Sequence, residues 1–172
     1  KGPRHGIPIG ITDIVAVRGR PTRAGSCILS DSPPADRDAT VAFKLREAEA
    51  VIMGKTVTTE YACFDPPETR NPWNLSHTPG GSSSGSAAAV ASGMCLGAVG
   101  SQTGGSISRP AAYCGIVGCK PTYGRVSAQG FVPVSFSLDH PGPFARSVAD
   151  AALVLRPIAG YDSDDPGSAS EP

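Results

Sequence analysis

Two Gly-Gly-Ser runs, Gly80-Gly81-Ser82 and Gly104-Gly105-Ser106, stand close together in the chain. Each leads into a stretch that predicts a helix: "SGSAAAVASGMC" (84–95) after the first, "SISRPAA" (106–112) after the second. Glycines let the backbone turn sharply and bring N–H groups close to a ligand. Helix N-termini add unpaired N–H groups and the positive end of the helix dipole. A serine in that setting can attack a carbonyl while N–H groups hold the oxyanion. A second hydroxyl nearby can relay its proton. The same spacing also reads as two structural turns whose serines cap helices.

Rival chemistries are weaker. Gly81-x-Ser83-x-Gly85, with Asp139 and His140 downstream, spells a nucleophile elbow. An elbow needs a strand just before it, and "NPWNLSHTP" (71–79) is not one. No Gly-Lys-Ser/Thr closes residues 80–86, so a P-loop is excluded. His5, His77 and His140 are scattered without ligand spacing. The 5 cysteines are an odd number with no CxxC. They predict neither a metal site nor a disulfide framework, but buried reduced thiols of an intracellular protein.

The elements that must position the serines alternate. "HGIPIGITDIV" (5–15) predicts a buried strand with a turn at Thr12-Asp13, and residues 18–37 a loop. Asp38 is expected to cap a helix through about Glu49, on the spacing of Val41, Leu45 and Ala48. Residues 50–56 predict a second strand, and 64–81 a long irregular segment in which Trp73 anchors the loop on the core. The helix over 84–95 would be capped by Ser84 or Ser86 and ended by Gly93. Strands follow at 96–102 and 114–122, and a helix over 147–160 starts at Ser147. Alternating strands and helices predict a layered α/β fold.

The chain has 172 residues, 40% hydrophobic and 17% charged. The usual charged share is about 25%, so much of this surface is expected to be covered. A net charge of zero argues against direct nucleic-acid binding. No apolar run reaches the roughly 18 residues of a membrane span. A start at Lys1 and the loop-like ending "YDSDDPGSASEP" suggest a fragment, whose cut sheet would expose unpaired edges.

"PGGSSSGSAAAVASGMCLGAVGSQTGGSISRPAAYCGIVGCKPTYGRVS" (79–127) strongly resembles the signature block of the amidase signature family. "HGIPIGITDI", "GRPTRAGS" and "SLDHPGPFARSVADAALVL" resemble it too, in order along the chain. The resemblance implies a mixed β-sheet flanked by helices. It also implies that residues 1–172 are a partial domain, without the family's first helices and its C-terminal substrate region.

It implies cleavage of a carboxamide C–N bond by a Ser–cis-Ser–Lys triad, with no cofactor or metal. Ser106 matches the nucleophile and Ser82 the relay serine that follows a cis peptide. The N–H groups of Thr103, Gly104, Gly105 and Ser106 match the oxyanion hole. The lysine position is Thr12. A desolvated lysine can be a neutral base; a threonine hydroxyl can pass a hydrogen bond along but cannot hold the proton. Lys55 and Lys120 are candidates by residue type, yet the family commonly carries both, as structural residues. Arg109, three residues after Ser106 on one helix face, could anchor a substrate carboxylate or simply pack. The resemblance further implies a small-molecule amide substrate, a cytoplasmic location and a possible homodimer. An inactive amidase-fold paralogue, or the glutaminase component of a tRNA-dependent amidotransferase, are the other readings.

Overall fold

The computed structural model describes residues 5–170. Five strands form one mixed sheet: β1 (Pro8–Thr12), β2 (Val51–Thr56), β3 (Gly97–Gln102), β4 (Val117–Gly118) and β5 (His140–Ala145). Their order is β2-β1-β3-β5-β4. β1 runs parallel to β2 and β3, and β5 runs antiparallel to β3 and β4. Among the described residues, four α-helices cover the sheet: α1 (Thr40–Glu47), α2 (Ser84–Ala91), α3 (Ser108–Cys114) and α4 (Val148–Ile158).

Alternation along the strands sorts the two faces. Ile9, Ile11 and Val99 pack with Val41 and Leu45 of α1 and Val154 and Ile158 of α4. Ala98 and Phe144 pack on the other face with Ala87 and Val90 of α2, and with Ile107, Ala111 and Cys114. α2 is buried along nearly its whole length, and its small residues let it sit close to the sheet. A Cβ on Gly85 would lie 2.4 Å from the backbone nitrogen of Val57, so only glycine fits there.

Several expectations need correction. Asp38 does not cap α1. Ala39 holds the N-cap position, and the Asp38 carboxylate accepts from Arg18 N at 2.7 Å and Arg46 Nε at 3.0 Å. Neither Ser84 nor Ser86 caps α2; both lie inside it, and Ser83 stands at the N-cap without a side-chain capping bond. Gly93, at φ +75°, does follow the helix end. The strand expected over 114–122 shrinks to Val117–Gly118, because Cys114 still belongs to α3. Ser147 caps α4 as expected, accepting from Asp150 N.

β5 went unread in the sequence because "HPGPFA" carries two prolines. The structure shows why they are tolerated. Pro143 turns its carbonyl toward the β4 side, where it accepts from Cys119 N at 2.9 Å. Pro141 shares that orientation by alternation. Only Ala145 and Phe144 pair with β4, so the missing N–H groups fall where no ladder bond is required.

Trp73 does not pack into the core. Its side chain is 74% exposed, and it holds its loop through Nε1, which donates to the Cys114 carbonyl at 2.7 Å. The thiols are not uniformly buried either: Cys95 and Cys114 are, while Cys27 and Cys63 are exposed. β2, at the sheet edge, exposes Val51 and Met53.

Candidate active site

The two Gly-Gly-Ser loops meet beside the start of α2. The Ser83 N–H donates to the Ser106 carbonyl at 3.3 Å, linking the first loop to the second. The Gly81–Ser82 peptide is cis. Ser82 is buried, and its carbonyl accepts from Thr59 N at 3.1 Å and Ser84 N at 2.8 Å. The neighbouring serines have structural partners. Ser83 Oγ donates to the Ser101 carbonyl at 3.3 Å and accepts from Ser101 N at 3.2 Å. Ser84 Oγ donates to the Gly80 carbonyl at 2.6 Å, and Ser86 Oγ to the Val99 carbonyl at 3.1 Å.

Ser106 is half-buried and lies in the loop between β3 and α3. It is not on the helix, which begins at Ser108, so the helical-face argument for Arg109 is corrected. Arg109 is joined to the loop in another way. Its N–H donates to the Gly105 carbonyl at 2.8 Å. A Cβ on Gly105 would lie 3.1 Å from the Arg109 guanidinium. Arg109 also lines a cavity of about 240 Å³ with Thr59, Cys63, Gly80 and Gly81, so an exposed cation borders the cis peptide.

Thr103 and Gly105 are half-buried and Gly104 is exposed. Among the described residues, no protein acceptor takes the N–H of Thr103, Gly104, Gly105 or Ser106. The next two amides are held: Ile107 N and Ser108 N both donate to Gln102 Oε1 at 2.8 Å. Thr103 Oγ1 donates to the Asp139 carboxylate. That carboxylate also accepts from Val134 N at 2.8 Å and Ser135 N at 3.0 Å.

Thr12 ends β1, in register with Thr56 of β2. Thr56 Oγ1 lies 2.7 Å from Ser86 Oγ of α2, so Thr12 also faces α2 and its serines. It is buried, and among the described residues its hydroxyl has no hydrogen-bond partner. Lys55 points to the opposite face, paired in register with Ile11. Its Nζ meets Asp13 Oδ1 at 2.6 Å and the Pro21 carbonyl at 3.3 Å. Burial lowers its pKa, against the opposing pull of Asp13. Lys120 is exposed, and its Nζ donates to the Pro121 carbonyl at 2.9 Å.

The elbow reading fails on this geometry. Among the described residues, no strand leads directly into Ser83, whose hydroxyl is taken by Ser101. His140 turns Nδ1 toward the Gln102 carbonyl at 3.2 Å, and its ring packs edge-on to Tyr123. Among the described residues, no three His, Cys, Asp or Glu side chains gather as a metal site.

Gln102 and Asp139 were not read from the sequence as part of this site. The available signal was a polar residue closing an apolar strand just before a Gly-rich loop. Asp139 lies 36 residues from its partner Thr103, and nothing local announces that contact.

A mixed sheet with helices on both faces, with two serine loops in contact beside α2, defines an amidase-type fold. The chain matches the amidase family over residues 1–172 and belongs to it. It is 52% identical, over 169 residues, to the A subunit of glutamyl-tRNA(Gln) amidotransferase from Desulfatibacillum aliphaticivorans, covering 95% of this chain and 35% of that protein. The structure superposes on the A subunit of glutamyl-tRNA(Gln) amidotransferase from Thermotoga maritima with a TM-score of 0.94 at 44% identity, covering 100% of this chain and 39% of that one. For the peptide amidase of Stenotrophomonas maltophilia the TM-score is 0.93 at 48% identity, covering 99% and 37%. The chain thus spans little more than a third of the length of these relatives.

Proposed function

We propose that residues 1–172 are the signature-carrying part of an enzyme that hydrolyses carboxamide C–N bonds through an acyl-enzyme. The observation that supports this most is the Ser83-to-Ser106 contact, which brings the two serine loops together. In this reading Ser106 Oγ attacks the amide carbon and Ser82 relays its proton toward the leaving nitrogen. The N–H groups of Thr103, Gly104, Gly105 and Ser106 receive the oxyanion. Such donors are each worth about 10²–10³ in rate. Arg109, beside Gly105 and the cavity, is placed to meet an anionic substrate group.

Thr12 occupies the base position. Its unpartnered buried hydroxyl favours a site that has lost its proton acceptor, so activity is impaired, or absent as in a binding paralogue. Lys55 does not take over the role, because Asp13 holds it on the far face of the sheet. Its likeness to the amidotransferase relatives makes glutamine the first substrate to test, with cytoplasmic partner subunits to accept the ammonia. A homodimer is the alternative assembly.

The test is ammonia release from glutamine, asparagine and small aryl amides. It uses the full-length polypeptide that carries this chain, as written, with Ser106→Ala, with Thr12→Lys, and with Thr12→Lys plus Ser106→Ala. A silent written form, an active Thr12→Lys and a silent double variant support the reading. Turnover by the written form that survives Ser106→Ala overturns it. Turnover that is abolished by Ser106→Ala keeps the nucleophile and moves the base elsewhere.

A further inference from the structure

We propose that Gln102 is a positioning residue for the oxyanion loop, a role that rests on the amidase reading above. Gln102 is the last residue of β3, paired with His140 of β5, so the sheet fixes its backbone. The side chain is buried, at 6% exposure. Its Oε1 takes three donors at once: Ile107 N, Ser108 N and Ser108 Oγ, each at 2.8 Å. The side chain therefore spans residues 103–106, tying the strand on one side of the loop to the first turn of α3 on the other.

This bracing decides which N–H groups remain available. α3 has Ile107 at its N-cap, and Ile107 offers no side-chain acceptor. Without Gln102 the amides of Ile107 and Ser108 would seek other partners, and the loop would shift to supply them. With Gln102 they are satisfied, and the four amides before them are left to face a ligand. The brace acts on Ser106 through the backbone and does not touch substrate.

The test replaces Gln102 in two ways: Gln102→Met keeps length and removes the acceptor, and Gln102→Glu keeps the acceptor. Amide hydrogen exchange is followed first, in the full-length polypeptide. Gln102→Met should speed exchange at Ile107 and Ser108 at least about tenfold while the β1 and β3 amides stay protected, and Gln102→Glu should leave it slow. Unchanged exchange in Gln102→Met overturns the brace, whether or not the protein is an enzyme. Kinetics follow in the Thr12→Lys background. Gln102→Met should lower kcat about 10- to 100-fold, less than outright removal of a donor. KM should move less than twofold, and Gln102→Glu should recover most of kcat. Faster exchange with unchanged kcat in a background that turns over overturns the positioning role. No turnover by the Thr12→Lys background itself counts against the amidase reading, and with it the catalytic purpose of the brace, while the exchange result still decides the brace.

Discussion

Lys55 and Asp13 form an ion pair, with Nζ 2.6 Å from Oδ1 and side chains only 11% and 17% exposed. The pair sits one register step from Thr12 but on the opposite face of the sheet. Removing one partner of such a pair leaves the other charge poorly solvated. Lys55→Met should therefore cost about 2–4 kcal/mol of stability. In the Thr12→Lys background it should leave kcat per folded molecule unchanged. Urea unfolding and active-site titration separate the two. A large kcat loss at full stability would return Lys55 to the reaction.

Thr12 carries an unpartnered hydroxyl in a buried position. A buried polar group without a partner costs about 1–3 kcal/mol, and valine has nearly the same shape. Thr12→Val is expected to raise stability by about 1 kcal/mol, read as a higher urea midpoint with an unchanged slope. A destabilised Thr12→Val would show that the hydroxyl has a bound partner in solution.

Asp139 gathers the Thr103 hydroxyl and two loop N–H groups onto one carboxylate. Hydrogen bonds to a charged acceptor contribute about 1.5–3 kcal/mol each. Asp139→Ala should destabilise the protein by about 2–3 kcal/mol, and should open residues 131–139 to proteolysis first. Limited proteolysis with mass mapping checks the order of cleavage. Cuts that begin elsewhere would deny Asp139 its hold on this loop.

The Cys114 thiol is buried, and burial pushes its pKa up from 9.0 to about 11. The folded state then holds the thiol proton more tightly than the unfolded chain does. The resulting stability is complete below pH 9 and is lost as the pH rises toward 11. Cys114→Ala should flatten that part of the stability–pH curve, after its own cavity cost is subtracted. Parallel curves for the two proteins between pH 8 and pH 11 would contradict the shift.

Gly85 lies against the backbone of Val57, where a Cβ would sit 2.4 Å from the nitrogen. Neither element can yield cheaply, since Gly85 N also donates to the Val57 carbonyl at 2.8 Å. Gly85→Ala is expected to cost more than about 3 kcal/mol, beyond ordinary overpacking. Thermal melts would show it, and a shift of only a degree or two would refute it.

Residue order alone carried most of the alternating elements and both serine loops, because each is written in local composition or in a contiguous motif. β1 was legible as a buried strand for the same reason: its isoleucines are closely spaced. What lay outside its reach depends on residues far apart in the chain. The prolines of β5 read as loop until the sheet order shows that their missing N–H groups meet no strand. Asp38 and Ser84 looked like caps, because short polar side chains suit a helix start. Arg46 and the Gly80 carbonyl claimed them instead, through contacts made only after packing. Lys55 and Thr12 are both polar residues at strand ends; only the register of β1 on β2 puts one beside Asp13 and the other beneath α2. Gln102 became a brace only when β5 fixed its backbone and α3 presented two free amides. Local chemistry can nominate a residue, but its partner is chosen by the tertiary fold, which decides which polar groups lose water together and must satisfy one another.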